Sequence, residues 1–270
     1  MNILGVMQGR LIPDENGKIQ SFPRINWRLE FPILKELGLN YLEWTLDHNE
    51  LWKNPILTPK GLLEIRELGE RNHVEIYSAT ADNLMQAPIH KLKTGLATTT
   101  QECIEFLALL DDAGIQVVVW PLVDSGNLDS KEEFEKFIEL FEPISKSLEK
   151  KRIRIVFETD LTPEYSLKLI QEINSNSVGI NLDIGNTASY GGKTSREFDI
   201  LGSLIQHVHV KDRIFRGTTV PLGSGDVDWV DTAGSMKLNY KGIRILQTAR
   251  KTDNIQAIRE YLRFCEKVGL

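Results

Sequence analysis

Residues 153–183 read IRIVFETDLTPEYSLKLIQEINSNSVGINLD. Two short runs rich in Val and Ile, Ile153–Glu158 and Val178–Asp183, flank a stretch of helical period, Pro163–Asn174. Short strands this apolar are buried on both faces, and the helix between them makes a β-α-β unit with a parallel pair. The alternation continues in both directions. Further strands are predicted at Ile3–Met7, Tyr41–Trp44, Val74–Ser78, Val117–Trp120, His207–Lys211 and Ile243–Gln247. Helices are predicted at Trp27–Leu37, Thr58–Arg71, His90–Ala113, Ser130–Leu148, Ser195–Leu201, Val227–Lys237 and Asn254–Val268. Their boundaries carry end signals: Gly38 and Gly114 as stops, Pro59 at a first helical position, and Ser130 with Glu133 at capping-box spacing. Pro32 makes the first helix kink or start late.

Eight strand–helix units in 270 residues match an α/β fold of the (β/α)8 TIM-barrel type, which needs about 250 residues, as one domain over 1–270. An open doubly wound sheet would place a glycine-rich dinucleotide turn after the first strand, and Gln8-Gly9-Arg10-Leu11 is not one. The chain is 41% hydrophobic and 26% charged, enough for a sizeable core, and its net charge of −6 offers no attraction to nucleic acid or anionic membrane. No run of eighteen apolar residues and no secretory signal is present, and Cys103 and Cys265 are not in a Cys-x-x-Cys pair, so a cytoplasmic, reducing setting is expected.

The active site of such a barrel stands at the C-terminal strand ends. There the sequence places Glu43, Ser78, Thr80, Asp82, Glu158, Asp183, His209, Lys211 and Gln247. Side-chain parity sorts them. Phe157 shares a face with Ile153 and Ile155, against Glu158; Leu182 is opposite Asp183; Val208 and Val210 are opposite His207, His209 and Lys211; Leu42 and Trp44 are opposite Glu43. The apolar sets suit the helix-facing side, and the polar sets then point into the mouth. Two carboxylates and an imidazole converging from adjacent strands are costly to bury unpaired. A divalent cation resolves that cost, and oxygen-rich ligation with one His favours Mn²⁺ or Mg²⁺, with Co²⁺ or Zn²⁺ as alternatives. Ordinary salt bridges, such as Glu158 with Lys211, are the structural alternative. His207 is inward but a layer deeper, as a core histidine would be. Arg10, Lys211, Arg213 and Arg216 surround the mouth and suit an anionic group; Asn186 suits substrate or a turn cap; Gly223-Ser224-Gly225 suits a phosphate through its backbone N–H groups.

The runs Ile155-Val-Phe-Glu-Thr159, Asp183-Ile-Gly-Asn186, Val208-His-Val-Lys-Asp212 and Pro221-Leu-Gly-Ser-Gly-Asp-Val-Asp228 resemble the xylose isomerase-like barrel superfamily, as does the stretch around Glu43-Trp44. Within it they look most like sugar phosphate isomerases and epimerases, nearest the ketopentose 5-phosphate 3-epimerases. The resemblance implies one metal held by Glu158, Asp183, His209 and the residue at 247, which is Gln here and Glu in the family. It also implies a small sugar or sugar phosphate as substrate, and a homodimer or homotetramer. In the family's epimerases two glutamates face each other across the sugar carbon. Gln247 is an amide: it can offer a ligand oxygen but cannot be the second base. Three readings follow. The chain is a metal-dependent sugar isomerase or epimerase with Glu158 as base and Lys211 as the available acid, with Arg10, Glu43, Asn186, Arg213, Arg216 and Ser224 about the substrate. It is a dehydratase of a cyclic polyol from the same superfamily. Or it is a sugar-binding barrel with an impaired site. The superfamily's zinc-dependent DNA-repair class is disfavoured by the five histidines and the negative charge.

Overall fold

A computed structural model of the chain describes residues 4–13 and 20–270. Eight parallel strands close into a barrel, Leu4–Met7, Tyr41–Thr45, Ser78–Thr80, Val117–Leu122, Arg154–Thr159, Val178–Asp183, Ile205–Val210 and Arg244–Leu246, each beside its sequence neighbours and the last beside the first. They are strands one to eight below. Helices cross between them on the outside, as a parallel barrel requires. An antiparallel pair, Asp212–Arg213 with Thr219–Val220, extends from the end of strand seven.

The alternation of side chains does what the parity argument expects. Outward residues build the main core against the helices: Trp120, Phe137, Phe141 and Phe157 meet edge to face or stacked, with Phe157 centred 5.2 Å from Phe141. Inside the barrel a small plug of Val117, Val119 and Val156 packs separately. Above that plug the barrel interior is polar.

Most element ends follow their sequence signals. Ser130 Oγ accepts from Glu133 N, and Thr58 caps the helix Pro59–Asn72. The first helix starts late, a 3₁₀ turn at Trp27–Leu29 preceding Glu30–Leu37. Strand three differs from the expected Val74–Ser78. His73 takes a left-handed conformation (φ 58°) and Val74 N returns to Gly69 O, so Val74 closes the preceding helix rather than opening the strand. The expected helix His90–Ala113 is a 3₁₀ turn at Ile89–Lys91 and a helix from Leu96, separated by Gly95 at φ 75°.

One irregularity positions the site. Strands six and seven pair Ile180 with Ile205 and then Asn181 with His207, skipping Gln206. This bulge brings Asp183 opposite His209.

Candidate active site

Glu158, Asp183 and His209 come from strands five, six and seven, and one ligand atom of each lies within 4.8 Å of the others. All three are buried, at 4%, 4% and 0% exposure. Glu158 Oε2 is 3.1 Å from His209 Nδ1 and accepts from Asn181 Nδ2 at 2.9 Å; Oε1 accepts from Asn186 Nδ2 at 2.9 Å. Asn186 is placed by its own helix turn: its N–H donates to Asp183 Oδ1, so Asp183 caps the short helix Ile184–Ser189. Arg213 Nη1 donates to Asn186 Oδ1 at 2.7 Å, which leaves the Asn186 amide nitrogen facing Glu158. Arg213 is thereby tied to Asn186 and to Gly217 O.

Lys211 Nζ pairs with Asp183 Oδ2 at 2.5 Å and donates to Gln247 Oε1 at 2.8 Å. The lysine's salt bridge is therefore with Asp183, not Glu158. Gly185 permits this approach: a Cβ there would lie 3.0 Å from Lys211 Cγ. Gln247 Nε2 donates to Gln20 Oε1, and Gln20 Nε2 donates to Asp82 Oδ2 at 2.6 Å. Arg10, buried, joins from strand one through Gln20 Oε1 and Thr248 O.

Beneath this layer lies a second network. Glu43 is fully buried; its Oε1 is 2.8 Å from His209 Nε2 and accepts from Thr80 Oγ1, and its Oε2 accepts from Ser78 Oγ and is 3.1 Å from His207 Nε2. His207 Nδ1 meets Asn181 Oδ1, so this histidine is satisfied a layer below the mouth. Glu43 thus orients His209 from behind instead of facing the mouth.

The charges follow from these contacts. Burial alone would raise both glutamates, but the His209 and His207 rings hold Glu43 well below the carboxylate range, and His209 with Lys211 brings Glu158 down to about 2. Burial opposes charge on His209 too, yet the flanking Glu43 and Glu158 push it up to about 10. Asp183 is raised by burial, against the pull of Lys211. His207 is lowered by burial, against the pull of Glu43.

Two loop features are placed away from this cluster. The Gly223 and Gly225 N–H groups donate to Asp212 Oδ2 and Val227 N to Asp212 Oδ1, so the turn around Ser224 is folded onto Asp212 and not offered to a phosphate. Arg216 is exposed, its guanidinium over the Phe215 ring. Asn181 and Gln20 were not singled out by sequence. Asn181 is inward by the same parity as Asp183, a signal that was available; Gln20 lies on a loop, where parity says nothing.

A barrel with oxygen-rich donors at the ends of strands five to seven defines a class. A model of the xylose isomerase-like TIM barrel matches residues 31–268, and the chain belongs to that family. An uncharacterized protein of Methanocaldococcus jannaschii is 25% identical, the alignment covering 88% of this chain and 89% of that protein. Among solved structures, a D-psicose 3-epimerase with D-tagatose from Clostridium cellulolyticum H10 superposes with TM-score 0.77 at 13% identity, over 98% of this chain and 99% of that one. An IolI protein with a bound zinc atom superposes with TM-score 0.75 at 15% identity, over 98% and 97%. At these identities the structural likeness speaks for the fold. Among the described residues no helix is long and apolar enough to cross a membrane.

Proposed function

We propose that the chain is a divalent-metal-dependent isomerase or epimerase of a small sugar or sugar phosphate, working by proton transfer at a carbon next to a carbonyl. The observation that carries this is the buried convergence of Glu158, Asp183 and His209. The donor set fits a cation: two carboxylates, one imidazole and the amide oxygen of Gln247, which Lys211 Nζ bridges to Asp183 Oδ2. Glu158, Asp183, His209 and Gln247 would hold it, and it would supply positive charge to the oxygens of the reacting sugar. Mn²⁺ or Mg²⁺ suits this set, and Zn²⁺, bound by the IolI protein, is the softer alternative.

The chain's own residues supply the rest. Glu158, ionised at neutral pH, is the base for the C–H proton. Asn186, fixed by Arg213, holds the carboxylate in place. Lys211, at the same level of the mouth, serves as proton donor and charge partner for the substrate oxygen. Arg10 lines the strand-one side of the mouth, where it suits an anionic substituent. Glu43 acts from behind, by holding His209.

The test is solvent exchange. With Mn²⁺ in D₂O, the protein should carry deuterium into at least one of D-fructose, D-tagatose and D-allulose, read by proton NMR. Glu158→Gln should slow that exchange by about 10²–10⁴-fold. Exchange at the unaltered rate in this variant removes Glu158 as base, and purified protein that takes up no divalent metal removes the metal.

A further inference from the structure

The amide at position 247 leaves the site one carboxylate short of two-sided proton transfer, and the barrel mouth holds another. Glu43 Oε1 forms a floor that joins two walls: Thr80 Oγ1 donates to it and His209 Nε2 pairs with it, each at 2.8 Å. Two residues beyond Thr80 is Asp82; two residues beyond His209 is Lys211. Asp82 opens the short helix Asp82–Gln86 just past strand three, and Lys211 directly follows strand seven, so the two stand at the C-terminal ends of strands on opposite sides of the barrel. A run of contacts then spans the gap: Asp82 Oδ2 to Gln20 Nε2 at 2.6 Å, Gln20 Oε1 to Gln247 Nε2 at 3.2 Å, and Gln247 Oε1 to Lys211 Nζ at 2.8 Å. Asp82 is 2% exposed, and its carboxylate accepts from Gln20 at the near end of this run.

We propose that Asp82 is the second acid–base residue of this site, serving the face of the substrate carbon opposite Glu158. The inference rests on the isomerase or epimerase reading and deepens it, because it restores epimerisation to a site that lacks the strand-eight carboxylate. Burial is the largest influence on Asp82, and with the charges of Asp47 and Glu158 it pushes the carboxyl up to about 7, against Gln20 and Arg10. Such a group holds a proton near neutrality and can give it up.

The proton bookkeeping closes. The Glu158 carboxylate removes the proton from the carbon, and the C–H electron pair moves into the carbonyl to leave an enediolate. Protonated Asp82 then delivers its proton to the other face as the carbonyl re-forms. One C–H bond breaks and one forms; Glu158 releases a proton to solvent and Asp82 takes one up, with no change of oxidation state. Gln20, which caps Asp82, gives way to the substrate.

The experiment separates exchange from inversion at C3. Mn²⁺-loaded full-length protein is incubated in D₂O with D-fructose, D-tagatose or D-allulose, and the products are resolved by NMR. Wild type should exchange and invert. Asp82→Asn should keep deuterium exchange within about threefold for the C3 epimer whose hydrogen faces Glu158, lose it for the opposite epimer, whose hydrogen faces Asp82, and lower inversion by about 10²-fold or more. The double variant Asp82→Asn, Gln247→Glu, which returns a carboxylate to strand eight, should regain inversion and so report that the fold is intact. Inversion at the wild-type rate in Asp82→Asn, or loss of exchange equal to that of inversion with both D-fructose and its C3 epimer D-allulose, overturns the role of Asp82 and leaves the isomerase reading standing. A wild-type protein that exchanges none of the three ketoses removes that reading, and the role of Asp82 with it.

Discussion

Phe157 and Glu158 are neighbours on one strand and share little beyond burial, at 0% and 4% exposure. Phe157 faces outward into a cluster of rings with Trp120, Phe137 and Phe141. Glu158 faces inward and is held by directed contacts to Asn181, Asn186 and His209. The outer contacts depend on area and volume, and any well-filled set of apolar side chains would serve. The inner contacts depend on identity: each donor has a matching acceptor, and removing one strands its partner. One face of the strand therefore holds the barrel together, and the other fixes where its charges stand.

The sharpest break of that contrast is to cut each face once. Phe157→Ala should cost about 3–5 kcal/mol in urea unfolding, from lost transfer energy and the cavity left among the rings. The remaining protein should still bind Mn²⁺, because the Phe157 side chain points away from the ligands, into the outer ring cluster. Glu43→Gln should cost less, about 1–3 kcal/mol, because shape is kept and only the two partners of one carboxylate oxygen meet an amide nitrogen. Its metal affinity should fall by about 10–100-fold in a titration, because His209 loses the carboxylate that orients it. Equal metal affinity in the two variants would erase the distinction between the faces.

A third buried acid sharpens the comparison through pH. Glu30, on the first helix, is fully buried and accepts from Gly9 N at 2.6 Å, away from the histidines. Burial pushes its carboxyl up to about 8, against the Gly9 and Gln8 hydrogen bonds, whereas Glu158, beside His209 and Lys211, lies at about 2. The signs are opposite. The unfolded chain ionises Glu30 near 4.5, so between 4.5 and about 8 the native state binds more protons. The stability due to Glu30 is complete below 4.5 and lost as pH rises through about 8. That of Glu158 is present above 4.5 and lost only as pH falls through about 2. Glu30→Gln should therefore flatten the decline of Tm between pH 5 and 8, at about 2–4 °C per kcal/mol. An unchanged pH profile in this variant would show that Glu30 is ionised in the native protein.

The same contrast explains what could be read in the sequence. Strand periodicity and parity are local, so the barrel and the inward set Glu158, Asp183, His209 and Lys211 were legible. Partner choice across the barrel is not local. Glu43 and His209 are 166 residues apart, and no pattern in either segment says that Glu43 would turn to the histidine and not to the mouth. Gln20 and Gln247, 227 residues apart, meet over the mouth for the same reason. The strand-three shift was hidden differently: Val74 is apolar for the sake of a helix end, and composition alone reads it as strand.

The smallest expected effect lies at a feature that was read correctly and has little to do with either face. Ser130 Oγ accepts from Glu133 N at 3.1 Å, and Glu133 Oε2 accepts from Asp129 N at 2.9 Å. These groups are at the surface, so water replaces the cap when it is removed. Ser130→Ala should cost about 1 kcal/mol, seen as a small drop in Tm, with deuterium exchange and metal affinity unchanged. A loss as large as that of Phe157→Ala would mean that the helix Lys131–Leu148 is held by its end and not by Phe137 and Phe141 against strand five. The ring cluster, buried and in contact along two turns of that helix, argues that packing carries it and that the cap sets only where it begins.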